Sequence, residues 1–182
     1  RIIVEGLSEF GIHFDEGVSS DGADIGMYGP YMQSKRLNIY RVFAKEMVKR
    51  GFAYPCFLTK EDLEKIRLKQ VELGVRTGCY GDWAKWKNAD FDEVKERLEN
   101  GDKYVIRLAS SGRFENTFEF VDLIKGKSTL HENDMDAVLL KSDGYPTYHF
   151  AHPIDDTLMG ITHVIRGDEW FSSVPLHVEL FE

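Results

Sequence analysis

The sequence predicts an α/β protein in which a mixed α+β segment is inserted between two pieces of an α/β domain. Apolar residues recur at helical spacing near both ends, whereas the middle alternates short helical patterns with short apolar runs. The 182 residues, 42% hydrophobic and 13% aromatic, are enough to build a core. We place the three parts at residues 1–53, 54–145 and 146–182.

The helices follow from apolar spacing and from capping signals. Residues 1–10 fit the end of one helix, and a second is predicted from about Ser34 to Arg50, with Gly51 as its stop. Thr59 and Asp62 approximate a capping box for a third helix, and Asp90 caps a fourth. The last helix begins at Ser172 or Ser173. Predicted strands are Tyr54–Leu58, Lys103–Leu108, Thr117–Val121, Ala137–Lys141, Thr147–Ala151 and Ile161–Arg166.

Composition narrows the class of protein. Cys56 and Cys79 are too few for a disulfide scaffold, which favours a reduced, cytoplasmic setting. A net charge of −8 argues against nucleic-acid binding through overall charge, although a local basic face is compatible with it. No apolar run reaches the ~18 residues of a membrane helix, and no signal peptide is visible. Both ends lie inside uncapped apolar patterns, so we expect an internal piece of a larger nucleotide-using enzyme.

Polar groups that could carry chemistry are concentrated between Asp143 and Trp170. On a strand, Tyr148 and His152 share one face, and Arg166 would end the next strand, where open α/β sheets bind ligands. A guanidinium there can hold a carboxylate bidentately. The competing interpretation is that the two aromatic residues belong to the core and that the arginine forms a structural ion pair. The adjacent Asp155 and Asp156 should point apart, which favours helix capping or backbone support over a metal pair.

Several motifs, in order along the chain, resemble the glutamyl-tRNA synthetases of the bacterial kind. They are Gly29-Pro-Tyr-Met-Gln-Ser-Lys-Arg36, Asp122-Leu-Ile-Lys-Gly126, Asp143-Gly-Tyr-Pro-Thr-Tyr148, Asp155-Asp156 and Gly160-Ile-Thr-His-Val-Ile-Arg166-Gly-Asp-Glu-Trp170. The resemblance implies a class I Rossmann-like nucleotide-binding domain, interrupted by an insertion that holds the tRNA acceptor end. It also implies a monomeric cytoplasmic enzyme that uses L-glutamate, ATP with Mg²⁺, and tRNA(Glu), and has no membrane partner.

The resemblance also assigns residues. Tyr148, His152 and Arg166 fall at glutamate-binding positions, although the family often has Asn where His152 stands. Glu169 and Trp170 fall near the ATP ribose and adenine, and Lys125 near the tRNA acceptor stem. Because the reaction needs positioning and charge neutralisation, no protein nucleophile is expected.

Two departures from the family pattern limit what this chain should do alone. The His-x-Gly-His and Lys-Met-Ser-Lys-Ser signatures are absent from the sequence, so we expect the isolated chain to be inactive. Cys56-Phe-Leu58 lacks a second cysteine and Cys79 precedes Tyr80, so a zinc site is not expected.

Two other functions stay open. One is a glutaminyl-tRNA synthetase fragment, against which Arg166 argues because a neutral amide needs no guanidinium. The other is a non-catalytic RNA-binding module, which would use the basic helix face at Lys35–Arg50 and the Trp83-Ala-Lys-Trp86-Lys segment. For both segments, a solvated helix face and inward-packing aromatic residues are the simpler alternatives.

Overall fold

The computed structural model describes residues 2–182 as six helices and seven strands, joined by long loops with short 3-10 turns. In chain order they are α1 (Ile2–Glu9), β1 (Gly17–Val18), β2 (Asp24–Ile25), α2 (Leu37–Lys49), β3 (Ala53–Cys56), α3 (Lys60–Glu72), α4 (Phe91–Glu99), β4 (Val105–Leu108), β5 (Thr117–Asp122), β6 (Gly126–His131), β7 (Val138–Leu140), α5 (Tyr148–Leu158) and α6 (Val174–Phe181). The 3-10 turns are Gln33–Lys35, Gly81–Trp83, Lys85–Asn88 and Asp168–Ser173.

A three-stranded antiparallel sheet, in the order β3-β4-β7, lies at the centre. Side chains alternate across its pleat, so its two faces belong to different apolar clusters. One face packs on α2 and α5 through Tyr40, Leu139 and Phe150. The other carries Tyr54 and packs on Phe57 and Trp86, whose rings lie 4.8 Å apart. Trp86 is therefore a core residue, not part of an exposed nucleic-acid surface.

The predicted helices are confirmed, and their caps are largely the residues expected. Oγ1 of Thr59 accepts from the backbone N–H of Asp62 at 3.1 Å, and the Asp62 carboxylate accepts from the N–H of Thr59 at 3.0 Å. Asp90 caps α4 by accepting from the N–H of Asp92. Gly51 follows α2 with a φ of +81°, a conformation that favours glycine.

The predicted strand Thr147–Ala151 is wrong, because this segment begins α5. Phe150 and Ile154 are four residues apart and both buried, which is helical rather than alternating spacing. Pro153 lies inside this helix. The helix tolerates that proline, although it has no N–H for an intrahelical bond.

The predicted strand Ile161–Arg166 is also wrong. The segment has no regular structure, and Ile165 is 94% exposed. No strand within residues 2–182 pairs with it, so its apolar residues are not covered by a sheet. Arg166 consequently ends an irregular loop, not a strand.

The hairpin β5–β6 was predicted only in part, since β6 was not recognised as a strand. The motif Asp122-Leu-Ile-Lys-Gly126 forms its turn. Oδ1 of Asp122 accepts from the N–H groups of Ile124 and Lys125, both at 2.8 Å, and Gly126 has a φ of +78°. This local turn reverses the chain and brings β6 back along β5.

The mixed α/β class is confirmed. Every strand pairing within residues 2–182 is antiparallel. The Rossmann-like halves, the insertion and the two boundaries between the three parts stay predictions. Between residues 2 and 182, no helix is long and apolar enough to cross a membrane.

Candidate active site

Arg166 lies between α5 and α6 and contacts histidines from both helices. Its NH1 group lies 2.9 Å from Nδ1 of His177, and its NH2 group contacts Nε2 of His152. Nδ1 of His149 in turn lies 3.0 Å from Nε2 of His177. Three imidazoles and one guanidinium thus form a continuous chain of contacts.

The donor–acceptor roles in this chain follow from the guanidinium. Arginine only donates, so Nε2 of His152 and Nδ1 of His177 must both accept and carry no proton. Nε2 of His177 then carries that ring's proton and donates a hydrogen bond to Nδ1 of His149. Nδ1 of His152 holds its ring's proton and lies 2.7 Å from Oδ2 of Asp156, although this oxygen has no hydrogen-bond partner.

Burial keeps these histidines neutral. His152 and His177 are 9% and 4% exposed, and loss of hydration lowers their pKa to about 4 and about 3. The positive charge of Arg166 lowers both pKa values further. Burial raises the pKa of Asp156. Arg166 is therefore the cation of the cluster at neutral pH.

Aromatic rings form one wall beside the guanidinium. The Tyr148 ring is stacked on the His152 ring, with centroids 5.7 Å apart and planes within 6°. Its centroid lies 4.4 Å from that of Trp170. Tyr148 is 44% exposed, so part of this wall faces solvent. Arg166 Cζ lies 5.9 Å from the Tyr148 ring centroid.

The remaining predicted site residues lie on the loop that follows Arg166 and in the β5–β6 turn. Glu169 and Trp170 belong to the 3-10 turn after Gly167, and Glu169 is exposed. The β5–β6 turn reaches the same loop, because Nζ of Lys125 lies 2.8 Å from Oδ1 of Asp168. The structure thus brings all six predicted binding residues to one side of the molecule, although Lys125 is already paired with a carboxylate.

An ion pair between Arg36 and Asp155 holds α5 against the start of α2. Arg36, 2% exposed, donates from Nε to Oδ1 of Asp155 at 2.7 Å, and the Tyr40 hydroxyl donates to Oδ2 at 2.6 Å. Asp155 and Asp156 do have different partners, but the helix-capping interpretation is wrong, because both lie inside α5 and contact side chains. Arg36 consequently does not belong to the solvated basic face of α2.

Sequence reasoning missed His149 and His177. Treating residues 147–151 as a strand placed His149 on the face opposite His152. In a helix, positions 149 and 152 share a face. That spacing could have identified His149, whereas His177 is brought in from α6 by tertiary packing.

Two cavities lie away from this cluster. One, of about 540 Å³, lies between α2 and the β3–β4–β7 sheet, near Lys45, Leu98 and Tyr104. The other, of about 490 Å³, lies between α2, α5 and α6, near Met47, Pro153 and Leu180. The aromatic wall and the guanidinium form an open surface instead.

The two cysteines lie away from the site and are both buried. Sγ of Cys79 lies 3.7 Å from the Tyr54 hydroxyl, and burial raises the pKa of this thiol. Within residues 2–182, no three His, Cys, Asp or Glu side chains converge as a metal site requires.

Comparison with known proteins identifies the family. Residues 1–182 match the family of class I tRNA synthetases (E and Q), catalytic domain. The chain belongs to this family. It is 48% identical over 179 residues to a glutamate–tRNA ligase of Clostridium perfringens and 50% identical over 179 residues to one of Acetivibrio thermocellus. These alignments cover 98% of this chain, which spans about a third (33%) of the length of each relative.

Solved structures of this synthetase family also superpose on the chain. A glutamate–tRNA ligase from Elizabethkingia meningosepticum, in complex with its amino acid, superposes with a TM-score of 0.84 at 37% identity. A glutamate–tRNA synthetase from Elizabethkingia anophelis gives 0.85 at 38%. Each superposition covers 98% of this chain and 36% of the other. The resemblance drawn from the motifs is thereby confirmed.

Proposed function

We propose that this chain is a segment of a glutamate–tRNA ligase, which activates glutamate with ATP and transfers it to the 3′ end of tRNA(Glu). The observation that carries the proposal is Arg166. Two of its five N–H donors are taken by histidines, which leaves three without a hydrogen-bond partner within residues 2–182. A half-buried cation with free donors beside an aromatic wall suits an acidic substrate.

In this proposal Arg166 binds a carboxylate of glutamate through its free N–H groups. Tyr148 packs against the substrate, since its ring is exposed beside the guanidinium. His152 orients both groups, because its ring stacks on Tyr148 and its Nε2 accepts from Arg166. The histidine at this position therefore has a clear physical role, although the family often has Asn there.

The adjoining loop would hold the adenosine part of ATP. The exposed carboxylate of Glu169 can accept from ribose hydroxyls, and the indole of Trp170 can stack on adenine. Lys125 would meet the tRNA acceptor stem. Its ion pair with Asp168 is exposed, and such pairs contribute only ~0–1 kcal/mol, so a phosphate can replace the carboxylate.

The chemistry needs no protein nucleophile. Glutamate attacks the α-phosphate of ATP, and pyrophosphate leaves; a tRNA ribose hydroxyl then attacks the adenylate carbonyl, and AMP leaves. ATP would enter with Mg²⁺, whose ligands we place on the phosphates. Residues 1–53 and 146–182 would belong to the two Rossmann-like halves and residues 54–145 to the acceptor-binding insertion, in a monomeric cytoplasmic enzyme.

Glutaminyl-tRNA synthetase is the second candidate. Arg166 has no direct carboxylate partner within residues 2–182, which favours glutamate, because a carboxylate gains a charge-assisted pair that a neutral amide does not form. The glutamate–tRNA ligases among the relatives point the same way. The RNA-binding module has less support, since Trp86 is buried and Arg36 is paired with Asp155.

The test is tRNA charging by the full-length protein that carries this chain, with glutamate and with glutamine. We expect charging with glutamate only, and a fall in kcat/KM of about a hundredfold in Arg166→Met. Arg67→Met is the matched control, because Arg67 forms an exposed ion pair with Glu64 on α3. Equal loss in both variants, or preferential charging with glutamine, would contradict the proposal.

The isolated chain should catalyse no glutamate-dependent exchange between ATP and pyrophosphate. Turnover by residues 1–182 alone, at a rate that depends on glutamate, would overturn this expectation.

A further inference from the structure

The anchoring of Arg166 differs from that of Arg36 and Arg67. Arg36 is paired with Asp155 at 2.7 Å and Arg67 with Glu64 at 2.7 Å, so a carboxylate neutralises each guanidinium. Arg166 is held by two imidazole nitrogens instead. An imidazole acceptor orients a guanidinium as a carboxylate does, but leaves its charge uncompensated.

We propose that His177 is a positioning residue for glutamate binding. Its Nδ1 fixes one end of the Arg166 guanidinium as an uncharged acceptor, so that the arginine meets the substrate carboxylate already oriented and without a carboxylate partner of its own. This inference rests on the proposed function and adds to it a residue that determines specificity for the acidic side chain.

The geometry supports a rigid anchor. NH1 is held by His177 from α6 and NH2 by His152 from α5, so rotation of the guanidinium would break one contact or the other. The two imidazole centroids are 4.8 Å apart. His177 is itself held by its contact with His149, and Glu179, two residues further along α6, accepts from the backbone N–H of Ser111 at 2.8 Å.

The charges around His177 explain why it stays an acceptor. Arg166 and the rings of His149 and His152 face it, and each of them disfavours a second positive charge. The carboxylate of Asp156 contacts Nδ1 of His152, the ring nitrogen that does not face Arg166. A neutral acceptor at Nδ1 is therefore the stable state throughout the physiological pH range.

Three variants of the full-length ligase separate orientation from charge. His177→Asn can place an amide oxygen near the position of Nδ1 and retains an uncharged acceptor. His177→Asp has the same shape but adds a negative charge beside Arg166. His177→Gln can retain a group near Nε2, facing His149, but removes the acceptor at Nδ1. The measurements are KM for glutamate, for ATP and for tRNA, and kcat, with glutamine as the competing substrate.

We expect His177→Asn to keep KM for glutamate within about threefold of wild type. His177→Asp and His177→Gln should raise KM for glutamate by about tenfold or more and keep KM for ATP within twofold of wild type. The Asp variant weakens the contact between Arg166 and glutamate, because its carboxylate competes for the guanidinium. The Gln variant removes the acceptor that orients Arg166. His177→Asp should also narrow the preference for glutamate over glutamine, because it neutralises Arg166.

Equal effects of the Asn and Asp variants on KM for glutamate would overturn the role of charge. Parallel rises in KM for ATP and glutamate would show a purely structural role and overturn the inference. Wild-type enzyme that fails to charge tRNA with glutamate would instead refute the proposed function. Normal charging by wild type, with an unchanged glutamate KM in His177→Gln, would refute this inference alone.

Discussion

Asp136 and Arg166 are two charged side chains in the same molecule, and their surroundings are opposite. Asp136 is 1% exposed, and both of its carboxylate oxygens have donors: the Tyr54 hydroxyl at 2.8 Å, the Ser110 N–H at 3.0 Å and Nζ of Lys87 at 3.2 Å. Arg166 is half-buried, and three of its donors have no partner within residues 2–182.

The contrast separates a structural charge from a candidate binding charge. A buried carboxylate with a full set of partners connects β3, the loop after β4 and the segment before β7. A cation that is oriented but not neutralised contributes little to the fold and keeps its charge for a ligand. Each of the following predictions tests one side of this comparison.

Asp136→Ala should have the largest effect on stability. Removing the carboxylate leaves Lys87, the Tyr54 hydroxyl and the Ser110 N–H without their partner, at a cost of about 3–5 kcal/mol. Hydrogen exchange of the β4 amides in the full-length protein measures this local loss. Asp136→Asn, which retains one acceptor oxygen, should have an exchange rate between those of wild type and Asp136→Ala. Unchanged exchange in the alanine variant would contradict the structural role of this network.

The second-largest effect should come from acidification, which should reduce the contribution of His152 and His177 to the free energy of unfolding. The pKa of His152 is lowered to about 4 and that of His177 to about 3, from 6.5, so the unfolded state binds more protons between these values. Stability relative to a His152→Asn, His177→Asn double variant is therefore fully present above pH 6.5 and falls as the pH drops toward about 4. Urea midpoints of both proteins across this range measure the difference. A difference that does not vary with pH would contradict the buried, neutral state.

Local signals in the sequence identified most helices, because caps and glycine stops act over a few residues. The Thr59–Asp62 capping box and the Gly51 stop were predicted from short patterns and found. The strand predicted at Thr147–Ala151 was wrong, because the buried residues Phe150 and Ile154 have helical spacing.

The candidate site was predictable in composition but not in geometry. The motifs named Tyr148, Arg166 and Trp170, and the structure brings these three together. The contact between His177 and Arg166 could not be predicted, because it depends on how α6 packs against α5. The sequence also gave no indication that Asp155 is the partner of Arg36, 119 residues away.

Tyr40→Phe tests a second closed network, behind α5. The hydroxyl donates to Oδ2 of Asp155 at 2.6 Å, and burial raises the Tyr40 pKa, so the group stays a donor. Its loss should cost about 1 kcal/mol, because Arg36 still partners the other oxygen. Exchange of the α5 amides reports the change, and Tyr28→Phe, at a 47% exposed tyrosine, is the control. Equal effects in the two variants would show that Asp155 does not depend on Tyr40.

Arg166→Met should have the smallest effect on stability, although it should abolish most activity. The substitution removes two donors from His152 and His177, but the guanidinium is half-buried beside an exposed Tyr148, so water can replace it. It also removes the positive charge that lowers the pKa of both histidines. Loss of the two donors destabilises the fold, whereas removal of the charge beside the histidines stabilises it. The net change in the free energy of unfolding should therefore stay under about 1 kcal/mol. Exchange of the α5 amides measures the change in stability, and kcat/KM on the same preparation measures the loss of activity. A loss of stability comparable to that of Asp136→Ala would mean that Arg166 is a structural charge as well, and the distinction between the two regions would not hold.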